Sequence, residues 1–96
     1  MNEDYIKSFE IFKQPMKDLV GFIRDNWRYV DIGYFRLYKY AKKYHLELHT
    51  GGWSGNESIA NTFNQIKFIG VFHTKWEAGG HFYYSFSEDV WRGEQK

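Results

Sequence analysis

Residues 34–50 read YFRLYKYAKKYHLELHT, and the fold turns on how they are taken. In the first half, Tyr34, Leu37, Tyr38 and Ala41 would share one face of a helix. The Tyr and Phe content and the alternation of the same residues suit a strand. The second half decides. Over residues 44–49, Tyr44, Leu46 and Leu48 point one way while His45, Glu47 and His49 point the other. That is the period-2 pattern of a half-buried strand. With Ala41-Lys42-Lys43 as the turn, the stretch predicts a β-hairpin.

Upstream, Tyr5, Phe9, Phe12, Met16, Leu19, Val20, Ile23 and Trp27 recur in steps of three and four, the spacing of a helix with one apolar face. Pro15 interrupts this run, so the expectation is an irregular lead-in and a firm helix over residues 14–27. Downstream comes HTGGWSGNES, residues 49–58. Ser54 and Glu57 have the spacing of a capping box, and Ile59, Phe63 and Ile66 follow at helical intervals. Residues 67–77, KFIGVFHTKWE, read as one long strand with Phe68, Phe72 and Trp76 on a shared face. Ala78-Gly79-Gly80 then makes a turn, and HFYYSFS follows as the partner strand, with Phe82, Tyr84 and Phe86 on one side. The expectation is an α+β fold of order α-β-β-α-β-β: a four-stranded antiparallel sheet with helices packed on one face. The chain, residues 1–96, reads as a single domain with a loose tail from about residue 88.

Composition narrows the functional classes. Thirteen basic residues stand against twelve acidic ones, a net charge of +1, which speaks against a dedicated duplex nucleic-acid binder. With no cysteine, disulfide frameworks and cysteine zinc sites are excluded. No apolar run reaches membrane-spanning length and the acidic start lacks a signal-peptide core, so the expected location is cytoplasmic, without a membrane partner. Aromatic residues make up 22% of the chain, more than a core of this size readily hides. That surplus predicts a homo-oligomer, a dimer first of all.

The glycine-rich loop has a definite physical capacity. Glycines let the backbone approach a ligand, and the first amides of the following helix have no internal partner. Thr50, Gly51, Gly52, Trp53, Ser54, Asn56 and Glu57 are the candidate ligand-binding residues, with Trp53 as a stacking face. Gly79, Gly80 and His81 are expected to meet them in space, His81 supplying a cation. Glu57 counts partly against an anion. The loop is neither a P-loop, since Asn56 stands where Lys is required, nor a dinucleotide fingerprint. His45, His49, His73 and His81 are candidates for metal binding or acid–base work. The pair His-Thr occurs at residues 49–50 and 73–74, without the intervening residue of the His-x-Thr phosphodiesterases, so that activity is not carried over. No residue is assigned as catalytic or as a metal ligand, and no cofactor is expected.

Two motifs, TGGWSGNE from Thr50 and GGHF from Gly79, resemble those of a family of small, poorly characterised proteins of tailed bacteriophages. The resemblance covers residues 34–86. Where that family often carries an arginine before its second motif, this chain has Ala78. The resemblance implies a phage origin, a host-cell location and a shared loop design. The leading expectation is then a small anti-defence binding protein, a sponge that sequesters an anionic nucleotide-like immune signal. The alternatives are a protein-interaction inhibitor of a host defence protein, such as an anti-CRISPR, and a phosphodiesterase or nuclease using its histidines. A binding protein is favoured over an enzyme.

Overall fold

The hairpin forms. In the computed structural model, which describes residues 3–11, 13–28 and 34–93 and only the backbone of Trp76, strand β1 (Tyr34–Tyr40) pairs antiparallel with β2 (Lys43–His49). The turn is shorter than expected, because Lys43 already belongs to β2. Ala41 and Lys42 both take positive φ, 55° and 64°, as the two central residues of a hairpin turn matched to strand twist. Two more strands, β3 (His73–Glu77) and β4 (His81–Ser87), complete a four-stranded antiparallel sheet of order β1-β2-β4-β3. The central pair is β2 and β4, and their register sets His49 opposite His81.

Helices α1 (Asp4–Lys7), α2 (Met16–Asn26), α3 (Ser54–Asn64) and α4 (Glu88–Arg92) accompany the sheet. Phe35, Leu46, Leu48, Tyr84 and Phe86 alternate onto one sheet face and are buried there. Met16, Leu19, Val20 and Ile23 of α2, Ile59 and Phe63 of α3 and Val90 of α4 join them in one core. Alternation at period 2 and at period 3.6 thus meet in a single apolar layer. The α-β-β-α-β-β order and the packing of helices on one face are as the sequence predicts. Pro15 sits just outside α2 as its N-cap, with φ −65° and ψ 125°, so the firm helix begins at Met16. The lead-in contains the single turn α1, whose end is anchored by Glu3: its carboxylate accepts from the Ser58 and Thr62 hydroxyls of α3 at 2.9 and 2.6 Å. Phe12 lies outside the described residues.

Three expectations need correction. Residues 67–77 are not one strand. Lys67 and Phe68 turn, Ile69–Val71 form a 3-10 turn, and only His73–Glu77 pair with β4. Phe68 has φ 73° and is half exposed, so it does not share a strand face with Phe72. Ile66 and Ile69 are the buried residues here, three apart, which suits a helical turn rather than a strand. The capping box also fails to form, because Trp53 takes the N-cap position without a side-chain cap and Ser54 is already helical. Finally, the chain after residue 87 is ordered as α4 up to Arg92. The Ser87 hydroxyl accepts from Val90 N–H, and Gly93 closes the helix at φ 75°. Trp91 stacks on Tyr44 at 4.4 Å, and Lys39 pairs with Glu88. No helix among the described residues is long and apolar enough to cross a membrane.

Candidate functional site

The two glycine motifs do meet. β2 ends at His49 and β4 begins at His81, so antiparallel pairing brings Thr50 beside Gly80, and Thr50 N–H donates to Gly80 O at 3.0 Å. Gly80 has φ 85°, and a Cβ there would run into the Thr50 side chain. Glycine is therefore required at this position on two counts, conformation and space. Gly51 and Gly52, at φ 64° and 79°, turn the chain from β2 into α3. Together Thr50, Gly52, Glu57, Asn61, Gly79, Gly80 and Phe82 line a cavity of about 300 Å³.

The only charged residue lining that cavity among those described is Glu57, a carboxylate, and no described cation lines it. Trp53 does not line it. The Trp53 ring folds back over Gly55, where any Cβ would collide with it, and Arg28 lies over the ring at 5.2 Å. Asn56 is fully buried and has a structural task. Its Oδ1 accepts from Arg28 N–H at 2.9 Å, and its Nδ2 donates to Arg28 O and Thr50 O. The side chain thus ties the chain leaving α2 to the end of β2. Ser54 and Glu57 face a separate groove along α3, shared with Glu3. Of the candidate residues, Thr50, Gly52, Glu57, Gly79 and Gly80 converge, Gly51 shapes the turn, and Trp53, Ser54 and Asn56 point elsewhere.

His81 also points elsewhere, and more informatively. Tyr34, Arg36, Tyr38 and Tyr40 of β1, His45, Glu47 and His49 of β2, and His81 and Tyr83 of β4 alternate with the core residues, so they share the face opposite the helices. On this open face His49 Nδ1 lies 2.7 Å from His81 Nδ1, and His49 Nε2 lies 3.2 Å from Glu47 Oε1. The other Glu47 oxygen is 3.5 Å from Arg36 Nη1. Tyr34 stacks on His49 at 3.9 Å, and Tyr83 meets the same ring edge-on at 5.5 Å. Tyr38 stacks on His45 at 5.1 Å with the Arg36 guanidinium over it. His49 is buried at 3% exposure, and no helix among the described residues covers it.

Nearer the β3 edge, Tyr83 donates its hydroxyl to Glu77 at 2.9 Å. That hydrogen bond, with burial and the Glu77 charge, pushes the phenol up to about 12. The bond from Tyr83, then that from Lys75, holds the Glu77 carboxyl below its usual range. Tyr34, Tyr38 and Tyr40 remain 40%, 37% and 68% exposed, an unusual density of half-open rings on one strand.

The four histidines therefore divide. His49 and His81 meet; His45 is farther along the same face, bonded to Tyr40 O. A bulge between His73 and Lys75 turns His73 toward Phe82 and Tyr84, where its Nε2 is buried with no partner among the described residues. Among those residues no group of three or more His, Asp or Glu is arranged to hold a metal. Glu47, Arg36, Tyr34 and Tyr83 were not expected at a site. Their signal was the alternation itself: the residues excluded from the core face had to gather on the other one. Compared with known proteins, the chain matches no family model, no curated protein and no solved structure.

Proposed function

We propose that the protein binds a nucleotide-like ligand on the open sheet face, not in the glycine cavity. The observation that carries this is the ladder of half-exposed tyrosines on β1, with Arg36 beside it, converging on the His49–His81 pair. Every base has a π-face, so rings held on a rigid sheet favour nucleotide-like ligands without demanding one sequence. Arg36 and protonated imidazoles match phosphate oxygens. The cavity at the glycine junction has the opposite sign, through Glu57, and serves the fold by locking β2 to β4.

In the setting that the phage resemblance implies, such a protein would act by sequestering a nucleotide signal of host immunity. A homo-oligomer belongs to this proposal, since Tyr38 and Tyr40 leave ring surface that a second copy could cover. Light scattering at micromolar concentration reads the assembly directly. A second reading has its own observation: Phe68 and Val71, in the turn that follows α3, are 50% and 75% exposed, apolar surface suited to a protein partner such as a host defence protein.

Calorimetry against linear and cyclic nucleotides decides between the surfaces. Tyr34→Ala weakens binding by about 1–3 kcal/mol for a stacked base, and Trp53→Ala leaves it unchanged. Loss with Trp53→Ala alone returns the site to the loop. If no nucleotide binds the wild type, the proposal fails and the second reading is pursued by capture of a host protein that Phe68→Ser abolishes.

A further inference from the structure

The open face holds an arrangement that ring stacking alone does not use. Glu47, His49 and His81 form a chain of hydrogen bonds whose middle member, His49, is buried at 3% exposure, with the Glu47 side chain half-buried beside it. An ionised carboxylate only accepts, so His49 Nε2–H donates to Glu47. Neutral His49 then accepts at Nδ1, and His81 must donate its Nδ1–H across the 2.7 Å contact. This fixes the tautomer of neutral His81 and leaves its Nε2 with a lone pair. No described residue hydrogen-bonds that nitrogen. It lies at the turn into β4, beside Gly79, where an added Cβ would stand 3.6 Å away.

Resting on the binding surface proposed above, we infer that His81 is a catalytic base and that the protein cleaves single-stranded RNA on this face. Tyr34 and Tyr38 are four residues apart on β1, about 13 Å at about 3.3 Å per residue, so the face has room for successive nucleotides as well as for one. The nucleophile is already on such a substrate. A ribose 2′-hydroxyl is held next to the phosphorus it attacks, and it needs only a positioned base.

The step balances with the groups at hand. His81 Nε2 takes the 2′-hydroxyl proton, and the 2′-oxygen forms a bond to phosphorus. The bond from phosphorus to the 5′-oxygen breaks, and that oxygen takes a proton from water. The products are a 2′,3′-cyclic phosphate and a 5′-hydroxyl end. His81, now imidazolium, returns its proton to solvent. Arg36, paired with Glu47 and with its side chain 60% exposed, is a cation on the same face for the phosphate backbone. His49 and Glu47 are positioning residues: they hold His81 Nδ1–H in place and so fix which nitrogen is the base.

The experiment compares a labelled single-stranded RNA with its 2′-O-methyl counterpart, which can bind but lacks the nucleophile. The wild type is expected to bind both, to leave the 2′-O-methyl strand intact, and to cut the RNA to cyclic-phosphate and 5′-hydroxyl products identified by mass. His81→Asn is expected to cut at least about 100-fold more slowly, with affinity for the 2′-O-methyl strand within about twofold. The groups facing His81 are His49 and Glu47 from β2, Glu77 from β3, Tyr83 from β4, and Tyr34 and Arg36 from β1. Glu47→Gln keeps the side-chain shape but lets the amide donate to His49, so the chain that orients His81 is broken; kcat is expected to fall while KM and affinity for the 2′-O-methyl strand stay within about twofold. A merely structural role would change folding and affinity together with the rate. Binding of the 2′-O-methyl strand with intact RNA overturns the inference and leaves the binding proposal standing. Binding of neither strand overturns the inference, and the calorimetry with nucleotides decides the binding proposal separately. Cleavage by His81→Asn at the wild-type rate, or cutting of the 2′-O-methyl strand, overturns the assignment of the base. Should His81→Asn fail to fold by circular dichroism, the 2′-O-methyl comparison and the split between kcat and KM in Glu47→Gln still decide.

Discussion

The two faces of this sheet are built from the same three strands and differ by one residue of phase. Phe35, Leu46, Leu48, Tyr84 and Phe86 go under the helices; Tyr34, Glu47, His49, His81 and Tyr83 go to the other side. The covered face is apolar and closed by packing. The open face buries a histidine and half-buries a carboxylate with no described helix over them, using hydrogen bonds and stacked rings instead. Burying polar groups without apolar cover adds little stability. The difference therefore assigns tasks: the covered face holds the fold, and the open face is free for chemistry.

The largest effect should come from the covered side. Phe86→Ala, at a fully buried ring, is expected to destabilise by about 3–5 kcal/mol in urea unfolding. Tyr34→Ala, one stacked ring on the open side, should lose only about 0.5–1.5 kcal/mol. Equal losses would erase the division between the faces.

Next in size is the seam where the strands are locked. Gly80→Ala places a side chain at φ 85° and against Thr50, an expected loss of about 1–3 kcal/mol from backbone strain before any clash is counted. Thr50→Ala in the same chain should recover the steric part and leave the strain. If Gly80→Ala is neutral by thermal melting, the close approach of the motifs is wrong.

How far the sequence carried this picture depends on the residue. The hairpin was legible because Tyr44, Leu46 and Leu48 alternate with polar residues, and tertiary packing rewards that alternation. The run after Ile66 was not, since a short apolar stretch fits strand and helical turn alike, and Phe68 enters a left-handed conformation that no local rule assigns to it. Helix α4 was legible in hindsight, as Ser87 and Gly93 bracket it with ordinary start and stop signals. The meeting of the glycine motifs followed from strand order. The direction of Trp53 did not, because it depends on Arg28, far away in sequence, and on the space left at Gly55. The Glu47–His49–His81 chain carries no motif, since it is assembled by register between strands that are distant in sequence.

A smaller effect concerns acid. Glu3, held by the Thr62 and Ser58 hydroxyls, Glu77, held by Tyr83 and Lys75, and Glu88, held by Lys39, all have carboxyls below their ordinary range. A depressed carboxyl adds stability above its unfolded pKa, and this is lost as pH falls through the folded value. The melting temperature should therefore decline gently below about pH 4.5, the ordinary carboxyl value. Glu3→Gln should flatten that decline, and since none of these groups belongs to the His49–His81 pair, it should leave nucleotide binding alone. An acid limb that Glu3→Gln leaves unchanged would place the responsible carboxyls elsewhere.

The central claim, that the open face is the ligand surface, is tested most directly by ring resonances, because backbone amides do not distinguish the two sides of a strand. Titrating the protein with a 2′-O-methyl oligonucleotide while recording histidine, tyrosine and tryptophan side-chain spectra gives a face-by-face map. The account predicts that the His49, His81 and Tyr34 rings shift with added ligand while the Trp53 indole stays still. Movement of Trp53 together with the Asn61 amide, with the three open-face rings unchanged, would contradict it and put the ligand at the glycine loop.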